Sequence, residues 1–290
     1  MVCGETEKAT MSFAAISADA YVHHISLNSP DPEALGRFYG KVLQMEVEHL
    51  PSGSWLCRGP HRQVVIEHGA RKTLGHIGFA VRNSDALHFV RKELERQDVR
   101  LLKSVCGDLL DDAFGIEDPD GNRVFFGASK CTEPKGVGLY GALQHVAYGT
   151  QRLGEMVGFY REVLGFAEVD RVRNEQGELK VCFLRSNHEH HTVAIFQSDR
   201  VGLDHHAYEV GDWNGIRDWA DSFSREGAPI TWGPGRHGPG NNLFIFIEDA
   251  DGNNIEVSAE LEVVRDRPAI DWPFRPSTLN IWGPARMRSA

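Results

Sequence analysis

The chain has 290 residues, 41% of them apolar, enough for two domains with cores of their own. Its net charge of −10, from 31 basic and 41 acidic residues, argues against nucleic acid or an anionic membrane as the main partner and leaves a small neutral molecule open. Five scattered cysteines (Cys3, Cys57, Cys106, Cys131, Cys182), with no C-x-x-C pair, exclude a disulfide framework and a thiolate zinc site, and fit a reducing cytoplasm.

Residues 1–20 carry no apolar signal-peptide core and read as an N-terminal extension, in which Met11 offers an alternative start. No apolar run approaches membrane-spanning length. Residues 22–27, Val-His-His24-Ile-Ser-Leu, read as a strand. Ser29-Pro-Asp-Pro then starts a helix with Ser29 as N-cap, and Leu35, Phe38, Tyr39, Val42 and Leu43 form its apolar stripe. Short strands follow around Trp55–Cys57 and Gln63–Glu67. The pattern restarts at Leu74-Gly-His76, continues through a helix over Ser84–Gln97, and ends on a hairpin built on Asp118-Pro-Asp-Gly-Asn-Arg-Val-Phe125. Residues 128–141, rich in Gly and polar groups, read as a domain linker.

A third unit opens at Leu143-Gln-His145-Val-Ala-Tyr148, and its helix stripe (Met156, Phe159, Tyr160, Val163, Leu164) repeats the spacing of the first. Strands follow at Lys180–Arg185 and His191–Gln197. A fourth opens at Leu203-Asp-His205-His-Ala-Tyr208, has a helix through Ile216, Trp219, Ala220 and Phe223 stopped by Gly227, and ends on a second hairpin, Leu243–Ile247, Asp251-Gly252 and Ile255–Ser258. The expected fold class is α+β: four βαβββ modules paired into an N-terminal domain (21–127) and a C-terminal catalytic domain (142–258), with a tail (259–290) packed on the body.

The two hairpins differ at one place, where the first has Phe125 and the second Glu256. The frame Leu-x-His-x-Ala puts His145 and His205 at equivalent positions and sets His206 aside. Alternation puts Ala147 on the face of His145, and Ala207 and Glu209 on the face of His205. Two histidines and a carboxylate with three positions left open is the ligand set of non-haem Fe(II) oxygenases, the open positions serving substrate and O₂. The N-terminal half keeps His24 and His76 but lacks the carboxylate, and reads as a metal-free copy.

With these residues the chain resembles the vicinal oxygen chelate superfamily (the glyoxalase-like fold), and in its two-domain layout the type I extradiol, catechol meta-cleaving dioxygenases. The resemblance covers roughly residues 20–285. It implies an enzyme with His145, His205 and Glu256 as metal ligands, Fe(II) or alternatively Mn(II) as cofactor, O₂ as co-substrate and a small aromatic diol as substrate, in a cytoplasmic homo-oligomer. It implies an acid–base histidine at His191, where the N-terminal copy has Arg62, and a second site histidine at His237. His188 and His190 read as ordinary loop histidines. Where the family has a tyrosine ten positions before the carboxylate, this chain has Phe246. Phe244, Phe246 and Ala147 imply a mainly apolar pocket suited to alkyl or aryl catechols. A glyoxalase-like lyase is a second reading, sustained by Glu209 as a further carboxylate. A metal-free ligand-binding protein and a dioxygenase for hydroquinones or hydroxyphenylpyruvate are others, because fold alone separates none of them.

Overall fold

The computed structural model describes residues 14–130 and 138–287. Met11, part of the expected extension, the centre of the expected linker and the last three residues of the tail lie outside these. A short helix, α1 (Ala14–Ser17), precedes the modules. The first module is β1 (Tyr21–Ser29), α2 (Pro32–Val42), β2 (Glu46–His49), β3 (Trp55–Gly59) and β4 (Arg62–His68). The second is β5 (Thr73–Val81), α3 (Ser84–Arg96), β6 (Leu102–Lys103), β7 (Leu110–Glu117) and β8 (Arg123–Ser129). The third is β9 (Ala142–Thr150), α4 (Leu153–Gly158) running into a π-helical turn (Phe159–Val163), β10 (Ala167–Arg173), β11 (Leu179–Arg185) and β12 (Val193–Gln197). The fourth is β13 (Gly202–Glu209), α5 (Trp213–Glu226), β14 (Trp232–Arg236), β15 (Leu243–Glu248) and β16 (Asn254–Ala259). The tail adds β17 (Ile270–Pro273) and α6 (Pro276–Leu279).

Modules one and two share an eight-stranded sheet, β2-β3-β4-β1-β5-β8-β7-β6. Modules three and four share a nine-stranded one, β14-β15-β16-β13-β9-β12-β11-β10-β17. In each sheet the opening strands of the two modules pair antiparallel at the centre, β1 with β5 and β9 with β13. That pairing makes the modules pseudo-twofold partners. One side of each sheet is covered by its helices. The stripe expected on α5 is real: Ile216, Trp219 and Phe223 are buried, each contributing roughly 1.5–3 kcal/mol of apolar burial. Gly227 ends that helix with φ +74°, a left-handed conformation that a Cβ would oppose. The stripe of the third module survives the π turn, with Met156, Tyr160 and Leu164 all fully buried.

Several local expectations are corrected. Ser29 does not cap α2; it stays in β1, paired with His68. Asp31 caps the helix, accepting the Ala34 amide at 3.0 Å, and Ser29 Oγ accepts the Asp31 amide at 3.1 Å. Pro32 at the first helical position fits this start, having no N–H to satisfy. The second hairpin turns over Asp249–Gly252, with the Gly252 amide donating to the Asp249 carbonyl, so Asp251-Gly252 is the second half of the turn. Only Gly252 there is left-handed, at φ +82°. Of the three strands expected after each helix, the first (β2, β6, β10 and β14) had no assigned position; β2 is exposed along its whole length and so lacks the alternation that marks a half-buried strand. Residues 14–20, expected within an extension, instead place Ala14, Ala15, Ala18 and Ala20 in the core. The Ala15 amide donates to the Leu164 carbonyl, which ties this segment to the third module. Among the described residues no helix is long and apolar enough to cross a membrane.

Candidate metal centre and active site

Strand register alone brings the site residues together. At the centre of the nine-stranded sheet, Ala207 lies opposite His145 and Ala147 opposite His205. On the other side of β13, Ala207 is also level with Glu256 on the parallel strand β16. Each histidine therefore faces a methyl group across the strand, which leaves room for the rings to converge above the sheet.

The convergence is tight. His145 Nε2 lies 3.4 Å, and His205 Nε2 3.2 Å, from Glu256 Oε2, with all three side chains buried. These ligand-type atoms all fall within 4.8 Å of one another. Each is held from behind. His205 Nδ1 is 2.6 Å from Asp204 Oδ2, so a proton sits on Nδ1, and Nε2 is the atom left to meet a metal ion, which would replace the proton it shares with Glu256. His145 Nδ1 lies 3.3 Å from Gln144 Oε1, which selects the same tautomer. Asn242 Nδ2 donates to Glu256 Oε1 at 3.1 Å and to Ser258 Oγ at 2.9 Å. Two imidazoles and a carboxylate, each oriented by an outer partner, fit a divalent metal ion. Burial opposes ionisation of Glu256, yet the surrounding imidazoles of His145, His205 and His237 hold its carboxyl well below the usual range. For His205, burial pulls the imidazole down, but Asp204 and Glu256 together raise it. For His145, burial prevails over the pull of Glu256 and lowers it.

The centre opens into a cavity whose walls include Phe183, Phe196, Trp232 and Phe246 with the tail residues Thr278 and Leu279. His191 is 4% exposed and its ring centroid lies 4.2 Å from that of His145. Burial first, then the neighbouring His145 and His190, push its imidazole well below the ordinary value, so it stands neutral. His237 Nε2 is 3.7 Å from Glu256 Oε1, and its Nδ1–H donates to the Leu279 carbonyl. Phe246 pairs across the strand with Glu256, and its ring stands edge-on to His205 with centroids 5.2 Å apart.

Four expected pocket residues do not reach the cavity walls. Ala147 and Ala207 are fully buried opposite the two histidines, their methyls too short to extend past the rings. Phe244 lies behind His237, stacked on it at 4.0 Å between centroids. Glu209 lines a second, polar cavity, where it accepts from Gln144 Nε2 at 3.1 Å and from the Gly211 amide at 2.9 Å. Burial raises its carboxyl to about 7. His206 points to the opposite face, its Nε2 3.2 Å from the Tyr39 hydroxyl. The sequence reading also missed Asn242, Asp204, Gln144 and Trp232. For the first three the signal was present, a polar residue next to or near an expected ligand, but only the register shows which way each side chain turns.

The N-terminal sheet repeats this layout in equivalent register. His24 and His76 sit as His145 and His205 do, and Phe125 occupies the Glu256 position opposite Gly78. Opposite Phe125 stands Gly115, in the place of Phe246. A Cβ on Gly115 would lie 2.4 Å from the Phe125 ring, so the pair fills the space that the other half keeps open. His24 Nε2 and His76 Nε2 share a hydrogen bond at 3.1 Å. Cys106 lies close enough to make His24, His76 and Cys106 a second cluster of ligand-type atoms. Arg62, at the His191 position, reaches the carbonyls of Leu43 and Leu139 at 3.0 Å each.

Comparison with known proteins agrees with this layout. The family model of the glyoxalase/bleomycin resistance protein/dioxygenase superfamily matches residues 21–126 and 142–257. Metapyrocatechase 2 of Cupriavidus necator is 27% identical over 91% of this chain and 88% of its own length. An iron-dependent extradiol dioxygenase of Rhodococcus jostii (strain RHA1) is 27% identical over 87% and 89%. Among solved structures, an anaerobic complex of homoprotocatechuate 2,3-dioxygenase from Brevibacterium fuscum with 3,4-dihydroxyphenylacetate superposes with a TM-score of 0.79 at 21% identity, covering 95% of this chain and 92% of that one. Two sheets of paired modules, with an open His-His-Glu centre in the second, and a family match across both domains lead to one assignment: the chain belongs to the glyoxalase/bleomycin resistance protein/dioxygenase superfamily.

Proposed function

We propose that the protein is an Fe(II)-dependent extradiol dioxygenase that opens a catechol-type ring with O₂. The observation that carries this reading is the convergence of His145 Nε2, His205 Nε2 and Glu256 Oε2 beside the buried His191. His145, His205 and Glu256 would hold the iron, and a bound iron supplies a template for both reactants and a path for charge between ring and O₂. Mn(II) suits the same donors. The chain's own residues do the rest. His191, neutral and sealed from water, takes a proton from the incoming diol and returns one as the ring opens. His237, fixed by the Leu279 carbonyl and backed by Phe244, presents Nε2 to the same space. The aromatic walls exclude water and receive the ring. No Lys or Arg lines the cavity among the described residues, which favours neutral alkyl or aryl catechols over carboxylated ones. Glu209 faces Gln144 rather than the centre, so it does not supply the second carboxylate that a glyoxalase-like lyase would need.

The test is anaerobic reconstitution with Fe(II), followed by a catechol panel read by oxygen uptake and by the absorbance of ring-fission products. Alkyl or aryl catechols should be turned over in preference to 3,4-dihydroxyphenylacetate; no uptake with any member would reject the reading.

Two further outcomes follow from the geometry. Phe246→Tyr should retain metal and change turnover by several-fold, because a hydroxyl added to a ring 5.2 Å from His205 gains a partner in the cavity without touching a ligand. Identical kinetics on every catechol accepted by the parent would place that ring edge outside the reaction space. Metal analysis should give one ion per chain, because Phe125 fills the N-terminal counterpart and His24 and His76 satisfy each other. Substituting both histidines should leave the metal content unchanged. A second equivalent of metal lost with them would instead identify His24, His76 and Cys106 as a second site.

A further inference from the structure

His190 is not a loop histidine on the surface. It is fully buried, and both ring nitrogens are engaged. Its Nε2 lies 3.0 Å from Asp170 Oδ2, and its Nδ1 lies 3.0 Å from Nδ1 of His191. Asp170, also fully buried, accepts from Trp272 Nε1 at 2.8 Å, Arg267 Nη1 at 2.9 Å and the Ile270 amide at 3.1 Å. All three of these donors come from the tail. Arg267 is itself held by Glu262 at 2.6 and 2.7 Å.

Counting donors sets the direction of every proton. Three of the groups around Asp170 can only donate, so its carboxylate is the acceptor throughout and the His190 proton sits on Nε2. With that one proton on Nε2, His190 Nδ1 is left to accept. At 3.0 Å from that nitrogen, His191 Nδ1 must carry a proton, since two bare nitrogens would repel. Neutral His191 therefore has its Nε2 bare, on the ring edge opposite His190, in the cavity that His191 lines.

We propose that Asp170 and His190 are positioning residues that lock His191 in the tautomer with Nε2 free to accept a proton, and that the C-terminal tail sets this lock through Arg267 and Trp272. The inference rests on the reading of His191 as the acid–base group. The tail thus has a role in turnover beyond closing the cavity. In the N-terminal half the residue at the His190 place is His61, on a positive-φ turn (φ +57°), and Arg62 replaces His191, so the relay belongs to the catalytic half alone.

Asp170→Asn tests the lock. The charged Arg267 and the Ile270 amide outweigh the Trp272 indole N–H, which loses its acceptor, and keep the side-chain oxygen on their side, so the amide N–H₂ turns towards His190 Nε2. His190 must then carry its proton on Nδ1 and donate to His191 Nδ1, which forces the proton of His191 onto Nε2. The expected result is full metal content and an unchanged KM for catechol, with kcat lower by on the order of 100-fold. Trp272→Phe removes one donor and should lower kcat less. Nitrogen-15 spectra of histidine-labelled, Zn(II)-loaded protein read the tautomers without turnover. The parent should show protons on His190 Nε2 and His191 Nδ1, and Asp170→Asn should show the reverse. The parent having its proton on His191 Nε2 would overturn the proposal, as would a reversed tautomer with parental kcat. If Asp170→Asn fails to fold, the parent spectrum still decides. If the parent cleaves no catechol yet shows the expected tautomers, the lock stands and the functional reading falls.

Discussion

Glu256→Gln is expected to reduce metal content from one ion per chain to background and to abolish ring cleavage. The substitution keeps the shape and the Asn242 contact but removes the only anion among the three converging groups. Loss of a supporting hydrogen bond around a metal costs roughly 10–100-fold in affinity, and loss of the charged ligand itself should exceed that. The fold should persist, since Glu256 Oε1 is held by an amide that pairs equally well with a neutral oxygen. Glu256→Phe, which copies the N-terminal half, is a less clean probe. Phe125 fits there only because Gly115 stands opposite, whereas Glu256 faces Phe246 across the strand. Two phenyl rings at that pair would overpack the site at about 1–3 kcal/mol. Metal analysis with a thermal melt checks both variants. Full metal content in Glu256→Gln would remove Glu256 from the ligand set.

His191→Asn should separate proton transfer from binding. It should retain iron and bind catechol, and turn over about 10²–10⁴-fold more slowly, with part of the oxygen consumed without ring cleavage. The reason is placement: the His191 ring packs at 4.2 Å on His145 and at 5.1 Å on Phe183, in a setting that burial keeps neutral. Amide side chains can fill part of that space but cannot take up a proton. Loss of iron in the variant would make His191 a ligand or a folding element. Parental turnover would move the acid–base role to His237, whose Nε2 faces the same carboxylate.

The module repeat was legible because it is written in local periodicity. The stripes of α2 and α5 and the His-bearing opening strands are each decided by which residues alternate with which, and hydrophobic burial enforces that choice. The candidate ligands were legible for a related reason. Equivalent positions in repeated strands become neighbours once the strands pair, and His145, His205 and the departure of Glu256 from Phe125 can be read from the repeat. The N-cap of α2 was misplaced by two residues, because the ladder of β1 holds Ser29 in the strand, where its hydroxyl takes the Asp31 amide and leaves the Ala34 amide to Asp31.

What the sequence could not determine is which partner a side chain meets once its strand is paired. Glu209 follows His205 and Ala207 in sequence, yet it meets Gln144, the extra residue where β9 bulges against β13, instead of reaching the cavity. Phe244 alternates with Phe246 but supports His237 from behind. His190 and Asp170 lie twenty residues apart in unrelated-looking stretches, and meet only because the paired β10 and β11 and the turn after them bring the two together. The tail is the clearest case. Its Pro- and Trp-rich sequence signals packing but no partner, while the folded chain puts Trp272 on Asp170 and the Leu279 carbonyl on His237. Local pattern determined the modules and the ligand types. Long-range pairing, which no window of sequence contains, decided which polar groups surround them and so which tautomer each histidine adopts.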